Sequence, residues 1–329
     1  MISLAAEAVE RGLIEGLLYG SLLGALSVGL TLIWGVMRVV NLAHGHLIVL
    51  AAMFLANFYT LYRGHLIAEL FNPVAGIVTM GVFGAVIGIV LYYTSIHPII
   101  GKVDVITLKH EMATLMATFG FGLTLYGLHY ALAAWTGEYS TEPALSWTFG
   151  KPPYVELGPA VTIEKIKFLI GGLSLLLALL LFAVVRLTNL GLMIQAVAQD
   201  ARALALVGID PVRIKLLTTI IATVFAMAVG PLYIAWVSSA TPASESIVAP
   251  LAFVIVVAGG LGSILGTYVA GVILGLVYEV VVSVTQEVSI ALFVTFLILL
   301  LILALKPQGL FGGLDDRVVS LIRGRGESR

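Results

Sequence analysis

The sequence predicts an all-α fold, a polytopic transmembrane helical bundle with about 8–9 membrane segments. Two observations carry this prediction. The 329-residue chain is 60% hydrophobic and only 11% charged, with a mean hydropathy of +1.11, whereas soluble domains carry about 25% charged residues. Several apolar runs also approach the roughly 20 residues that a membrane-crossing helix needs. We therefore treat residues 1–329 as a single transmembrane domain in a lipid bilayer.

The apolar segments can be placed in order along the chain to within about 2–4 residues. They are 13–36, 41–62, 73–96, 113–135, 168–187, 214–237, 247–258, 264–284 and 288–305. The run 247–258 is too short to cross about 30 Å at about 1.5 Å per residue. We therefore expect a short broken or re-entrant segment near 247–263, which forms a down-and-up pair with the span that follows it.

The placement of charge predicts an external N-terminus and a cytoplasmic C-terminus, because basic residues favour cytoplasmic loops. Basic residues mark the loop near 97–111, the loop 188–212 with its flanks, and the tail 306–329. Acidic residues mark the N-terminus, the external loop 136–167 and the turn at Glu245. Alternate counting of spans from an external N-terminus reproduces all of these assignments if 247–258 and 264–284 form one pair.

Several function classes are disfavoured by the sequence. The chain has no cysteine and a net charge of -1, so thiolate catalysis and a nucleic-acid partner are not expected. The phosphate-loop pattern GxxxxGK[ST] is absent from the sequence, so the chain does not hydrolyse ATP by that route. We expect a transport protein rather than an enzyme, with no catalytic residues, no metal and no cofactor.

Two glycine-centred interruptions lie in apolar surroundings, NLAHGH at 41–46 and AGGLGS at 258–263. Interrupted helices in the two halves of a transporter point to its substrate site. We predict that Asn41 and Gly45 break the second helix, so that freed backbone groups face a cavity. The loop residues of the second interruption join them as candidate pathway residues: Gly259, Gly260 and Gly262.

The histidines leave alternatives open. His44 and His46 are two residues apart, which on a helix turns them about 200° from each other and disfavours a shared metal. His44 then either bonds to neighbouring carbonyls or lines the pathway, while His46 is interpreted as incidental and His129 as structural. Glu279 lies inside an apolar segment and is either a pathway residue or a residue near the outer interface.

The polar stretch 186–217 predicts a cytoplasmic helix of about four turns. Thr188 or Asn189 can cap its start, Gly208 can end it, and Pro211 follows. Its apolar residues recur at helical spacing on one side. This helix either lies on the lipid surface or docks a cytoplasmic partner.

Four ordered motifs resemble those of one family, the permease subunits of branched-chain (LIV-type) amino acid ABC transporters. They are GLLYGSLLGALSVGLTLIWGVMRVVNLAHG, IQAVAQDARALALVGID, VVAGGLGSILGTYVAGVILGLVYE and KPQGLFG. Their order and the Asn-Leu-Ala-His-Gly form are most similar to the H-type partner of the H/M permease pair. One departure is Gln195, where the family usually has a basic residue.

The resemblance implies a multi-pass permease of a prokaryotic inner membrane that imports branched-chain or related amino acids. It implies a second permease subunit, two cytoplasmic ATPase subunits and an external binding protein. It also implies that the loop 188–212 couples to the ATPases, through residues such as Ala196, Ala198, Asp200, Ala201, Ala205 and Gly208. The wider superfamily also carries sugars, urea and amides, and an ion-coupled secondary transporter is a further alternative.

Overall fold

A computed structural model describes residues 2–61, 73–101, 103, 106–136, 154–156, 162–237, 240–306 and 309–311. The helices are α1 (Ile2–Met37), α2 (His44–Leu61), α3 (Pro73–Leu91), α4 (Leu108–Thr136), α5 (Lys165–Leu187), α6 (Asn189–Gln199), α7 (Ala201–Leu206), α8 (Pro211–Val237), α9 (Glu245–Gly259), α10 (Ile264–Thr285) and α11 (Val288–Leu305). A π-helical turn, Tyr92–Ile96, and a last helical turn, His97–Ile100, continue α3, and a 3₁₀ turn, Pro242–Ser244, precedes α9.

The prediction of an all-α multi-pass membrane protein is confirmed. Among the described residues, 6 helices are long and apolar enough to cross a membrane. They are Glu7–Met37, Val74–Ile100, Lys165–Leu187, Pro211–Val237, Ile264–Thr285 and Val288–Leu305. The helix α4 has 29 residues and covers the predicted span 113–135, and α2 and α9 supply shorter apolar helices.

The predicted external loop contains a feature that the hydropathy pattern did not indicate. The strands β1 (Tyr154–Glu156) and β2 (Thr162–Glu164) pair antiparallel, with Val155 opposite Ile163. The helix α5 begins directly after β2, so the loop ends three residues earlier than the predicted boundary at 167. Most of the tail after Lys306, including its arginines, lies outside the described residues.

A seam of glycines joins α1 to α10 along most of their length. A Cβ added at Gly20 would lie 2.6 Å from the Cα of Val272, and one at Gly24 would lie 2.8 Å from the carbonyl oxygen of Tyr268. Such distances leave no space for a side chain, so the two backbones touch, as small residues allow in membranes. The order of the contacts makes the two helices antiparallel.

A second packing centre is α8, which contacts α1, α2 and α3. A Cβ at Gly84 on α3 would meet the Cα of Val224 at 2.9 Å. A Cβ at Gly230 would meet the carbonyl oxygen of Ile48 on α2 at 2.6 Å. The helices α1 and α8 therefore form the interior of the bundle, and α11 is largely exposed at its rim.

A buried lysine ties the cytoplasmic end of the α3 unit to α8. Lys215 is 3% exposed, and its Nζ donates to the carbonyl oxygens of Ile100 at 2.8 Å and Val103 at 2.9 Å. The hydroxyl of Tyr92 donates to the carbonyl of Val212 at 3.0 Å. Because free carbonyls at a helix end need donors, Lys215 stabilises this end of the unit rather than facing the cytoplasm as a surface charge.

Candidate functional site

The first interruption lies between α1 and α2. Arg38 has a φ of 51°, in the left-handed region that side chains rarely adopt, and the chain turns back there. Asn41 is buried, and its Oδ1 accepts from the backbone N–H two residues on at 3.1 Å. The hydroxyl of Thr118 on α4 donates to the carbonyl of Val40 and accepts from the N–H of Leu42, both at 3.2 Å. These three backbone groups are therefore bonded within the protein.

The helix α2 begins inside the bundle. His44 is buried, and its Nε2 lies 2.7 Å from the carbonyl oxygen of Leu26 on α1. Leu26 precedes the end of α1 at Met37 by about 16 Å along the helix axis. His44 therefore bonds to a backbone carbonyl through Nε2, which is one of the two predicted alternatives. The helix α2 also starts well away from the predicted cytoplasmic surface.

The predicted helix-breaking role of Gly45 is wrong. Gly45 is the second residue of α2 and is helical. A Cβ there would lie 2.6 Å from the backbone nitrogen of Ala249 on α9. Gly45 is needed for close packing between α2 and α9, and the break lies before it, at residues 38–43.

The second interruption joins α9 to α10. Gly260 and Gly262 have φ values of 103° and 89°, which favour glycine because it has no Cβ. The hydroxyl of Ser263 accepts from the N–H of Gly266 at 3.0 Å and so caps α10. The turn also packs on α1, since a Cβ at Gly35 would lie 3.2 Å from the Cα of Gly262. The short α9 and the long α10 therefore form the predicted down-and-up pair.

The beginning of the tail closes this interruption. The N–H of Leu310 donates to the carbonyl of Ala258 at 2.7 Å, and the N–H of Phe311 donates to the carbonyl of Gly259 at 3.2 Å. These are carbonyls at the end of α9 that lack partners within the helix. The motif KPQGLFG thus has a structural role, because backbone N–H groups within it cap a helix that ends inside the protein.

Glu279 lies apart from both interruptions, near the end of α10. It is 8% exposed and borders a cavity of about 280 Å³ together with Arg11 and Glu15. Arg11 Nε and Lys167 Nζ each lie 3.1 Å from Glu15 Oε1. Glu279 therefore belongs to a charged cluster. It lies about 9 Å before the end of α10 at Thr285, which favours the alternative that Glu279 is near the outer interface. Its assignment to the substrate pathway stays a prediction.

The coupling loop differs from the predicted single helix of four turns. Thr188 caps α6 as expected, accepting from the N–H of Gly191 at 3.2 Å. Asp200 breaks the helix, because its Oδ1 accepts from the N–H groups of Arg202 at 2.9 Å and Ala203 at 3.1 Å. Two helices result, α6 and α7, and Gly208 with a φ of 85° ends the second.

The two short helices divide their residues between the protein and its surroundings. Ala201 and Leu204 are buried against the bundle, and Ala196 and Ala198 are half-buried. The α7 tip, which we define as residues 205–208, is exposed, with Leu206 at 89% and Val207 at 73%. The predicted coupling residues Ala205 and Gly208 lie in this tip and Ala201 does not.

Gln195 contacts the end of α5. Its Nε2 donates to the carbonyl of Val185 at 2.7 Å, and Arg186 Nη1 donates to its Oε1 at 3.3 Å. Gln195 therefore fixes α6 to the membrane-spanning α5.

Comparison with known proteins decides the family. Residues 12–305 match the family described as branched-chain amino acid transport system, permease component. The chain belongs to this family. It is 25% identical over 272 residues to the high-affinity branched-chain amino acid transport system permease protein LivH of Salmonella typhimurium, and equally to that of Escherichia coli K12. Each alignment covers 79% of this chain and 82% of the relative. No solved structure matches the chain.

The chain is thus a membrane permease of an ABC transporter, and its similarity to LivH agrees with the H-type assignment. The match extends from the first span to the last. Three of the four quoted motifs lie within it, and KPQGLFG follows directly after it. The roles of the candidate pathway and coupling residues in transport stay predictions.

The permease also contains a buried cluster that the sequence does not predict. His129 on α4 and His46 on α2 meet Glu245, the first residue of α9. His129 Nδ1 lies 2.5 Å from Glu245 Oε1, and His46 Nε2 lies 3.4 Å from Glu245 Oε2. The interpretation of His46 as incidental is therefore wrong. No local pattern indicates the cluster, because its members come from three distant segments.

Proposed function

We propose that this chain is the H-type permease subunit of an ATP-driven importer in a prokaryotic inner membrane. Branched-chain or related hydrophobic amino acids are its cargo, and the role named for the LivH relatives supports this choice. In this proposal a second permease subunit completes the pathway and two cytoplasmic ATPase subunits supply the energy. An external binding protein delivers the amino acid.

The exposed α7 tip is the observation that carries the proposal. Apolar side chains exposed together on a loop that the charge pattern assigns to the cytoplasm are typical of protein interaction sites. Leu206 and Val207 form such a pair, and the sequence has no phosphate loop of its own. An ATPase that binds the α7 tip would therefore provide what this chain lacks.

The connections of α6 explain how movement could reach the membrane. Asp200 caps α7 directly after α6, and Gln195 holds α6 to the end of α5. An ATPase that closes on ATP would displace α6 and α7, and the bonds of Gln195 would carry this displacement to α5. Bound ATP then favours one state of the pathway through its differential affinity.

The proposed pathway residues suit a zwitterion with an apolar side chain. Its two charges largely cancel, so a few dipoles and a histidine are sufficient to orient it. The proposed set is Asn41, His44, Gly45, Gly259, Gly260, Gly262 and Glu279. A cysteine scan of residues 39–48 with a membrane-impermeant thiol reagent tests the first interruption. Uniform protection in every transport state would remove these positions from the pathway.

Substitutions in the α7 tip test the coupling. Ala205→Glu and Leu206→Glu place a charge in the proposed apolar contact, and Gly208→Pro alters the backbone that ends α7. We expect each to abolish co-purification of the ATPases. Leu305→Glu is the matched control, because Leu305 is 86% exposed at the end of α11. Normal association of the ATPases with all three tip variants would contradict the proposal.

The cargo is tested by substrate-stimulated ATPase activity of the reconstituted transporter. The panel contains leucine, isoleucine, valine, urea, an amide and ribose, each with the binding protein. We expect stimulation by the branched-chain amino acids. Stimulation by urea, the amide or ribose alone would move the assignment to another cargo of the superfamily. Uptake into liposomes that contain no ATPase would instead indicate an ion-coupled transporter.

A further inference from the structure

A groove between α4 and α9 has a buried carboxylate at its polar end. Glu245 is 2% exposed, although it is a glutamate at the start of the short apolar helix α9. Burial of a carboxylate is costly unless donors surround it. His129 Nδ1 donates to Oε1 at 2.5 Å, which satisfies one oxygen of the carboxylate.

The other oxygen of Glu245 lacks a donor. Oε2 has no hydrogen-bond partner within the described residues. The nearest ring nitrogen is His46 Nε2 at 3.4 Å. The Nδ1 of the same ring lies 3.3 Å from the carbonyl oxygen of Leu42, which can only accept a hydrogen bond. A neutral ring therefore carries its hydrogen on Nδ1. Its Nε2 then turns a lone pair, and no hydrogen, toward Oε2. A ligand that supplies a cationic N–H donor would satisfy this oxygen.

Polar and apolar residues line different parts of the groove beside Glu245. Its volume is about 560 Å³, within the range common for small-molecule sites. Ser246 and Tyr126 place hydroxyl groups near the polar end. The remaining lining is mostly apolar: Leu42, Phe119, Leu123, Ala249, Pro250 and Phe253. A zwitterionic head group with an apolar side chain matches this division.

The groove lies beside the first turn of a short helix that ends at an interruption. The helix α9 has 15 residues and is about 22 Å long, which is shorter than the membrane core of about 30 Å. It ends at the capped turn before α10, and its first residue, Glu245, borders the groove. Substrate sites of transporters are typically near the midplane, at the ends of interrupted helices.

We propose that this groove binds an α-amino acid with an apolar side chain, whose ammonium group donates to Oε2 of Glu245. His129 is a positioning residue that holds the carboxylate, and the apolar lining of α4 and α9 receives the side chain. The proposal rests on the proposed import function and assigns the residues that would select its cargo.

A single cysteine makes binding visible in the intact transporter, because the chain has no cysteine of its own. Ser246 is exposed at the edge of the groove, and Ser246→Cys supplies the reporter. The rate of its reaction with a membrane-impermeant maleimide is measured in proteoliposomes that contain the complete transporter without binding protein. We expect saturating leucine to slow the labelling about 10-fold or more. Val288→Cys, 53% exposed at the start of α11, should label at the same rate with and without leucine.

The ammonium contact is tested by a ligand and by a variant. 2-Hydroxy-4-methylpentanoate replaces the ammonium of leucine by a hydroxyl and should protect Ser246→Cys poorly. Glu245→Gln in the reporter background should raise the leucine concentration for half-protection by about 10- to 100-fold, as expected for a lost charge-assisted bond. Glu287→Gln, an exposed carboxylate at the start of α11, should leave that concentration unchanged.

The apolar lining provides a second variant if Glu245→Gln fails to fold. Phe253→Ala should weaken protection by leucine more than protection by alanine, because it removes apolar contact beside the longer side chain. Phe293→Ala, which is 66% exposed on α11, is the matched control. Equal half-protection by leucine in Phe253→Ala and in the reporter alone would contradict the assigned lining.

The outcomes separate this inference from the proposed function. Leucine transport without leucine protection of Ser246→Cys overturns the inference and leaves the function intact, as does unchanged half-protection in Glu245→Gln. Protection that depends only on the second permease subunit, or only on added phospholipid, also overturns it. If no amino acid stimulates the ATPase or is transported, the proposed function itself fails.

Discussion

The glycine seam between α1 and α10 predicts that one added methyl group destabilises the bundle. In Gly20→Ala the new Cβ would lie 2.6 Å from both the Cα and the carbonyl oxygen of Val272, and 3.0 Å from the carbonyl oxygen of Gly271. Carbon atoms pack at about 3.5–4.0 Å. Neither neighbour is the end of a flexible side chain, so the two helices must separate by about 1 Å.

The size of the effect follows from the contacts that this separation weakens. A gap of about 1 Å loses up to half of each dispersion contact, which is about 0.1–0.2 kcal/mol per atom pair. With about 20–30 atom pairs near the site, the loss is about 1–3 kcal/mol, the range found for overpacked cores. Alanine gains up to about 1 kcal/mol over glycine in helix propensity, so a matched glycine-to-alanine control is needed.

Gly172 on α5 is this control, because a Cβ there would meet nothing within 4 Å. Equilibrium unfolding in mixed detergent micelles, followed by far-UV circular dichroism, gives the free energy of unfolding of both variants. Because both variants gain the same helix propensity, we expect Gly20→Ala to be about 1–3 kcal/mol less stable than Gly172→Ala. A difference below about 0.5 kcal/mol would refute the close contact of the two backbones.

The same unfolding assay tests three further contacts. Lys215→Met should cost about 1–3 kcal/mol, because it leaves two carbonyls at the end of the α3 unit without this donor, while Lys165→Met on the exposed side of α5 should change little. Thr118→Val should cost a similar amount of stability. It should also increase thiol labelling of a cysteine placed at residue 42, whereas the exposed control Thr124→Val should not. If both variants gave the same labelling, the bonds of Thr118 to the first interruption would be contradicted. Asp200→Ala should cost about 1 kcal/mol by removing the cap of α7 and weaken ATPase co-purification, whereas Asp200→Asn should retain most of both.

The positions of the helices could be predicted because apolar length and capping chemistry are local properties. Thr188 and Ser263 each stand directly before an amphipathic or apolar run, and each caps the helix that follows. The short run 247–258 is a separate helix, and it turns into α10 at glycines with positive φ. The break at Asp200 is not predictable from the sequence, because a carboxylate inside a helical pattern can either face solvent or cap a new helix.

The candidate site was less predictable because its contacts join distant parts of the chain. His129 and Glu245 are 116 residues apart, and each appears isolated in its own segment. The sequence does not distinguish the two roles of a glycine such as Gly45, because glycine serves both turns and close packing. Its contact with Ala249 depends on how α2 and α9 are placed.

The sequence by itself determined the class of this protein, the order of its membrane segments and its family. These follow from composition, segment length and short motifs, which are all read along the chain. Only the tertiary structure decided which polar residues meet inside the bundle and which glycines touch a neighbouring backbone. The physical reason is that membrane helices have similar apolar surfaces, so their pairing depends on shape and on a few buried bonds. Neither is visible until distant segments are packed together.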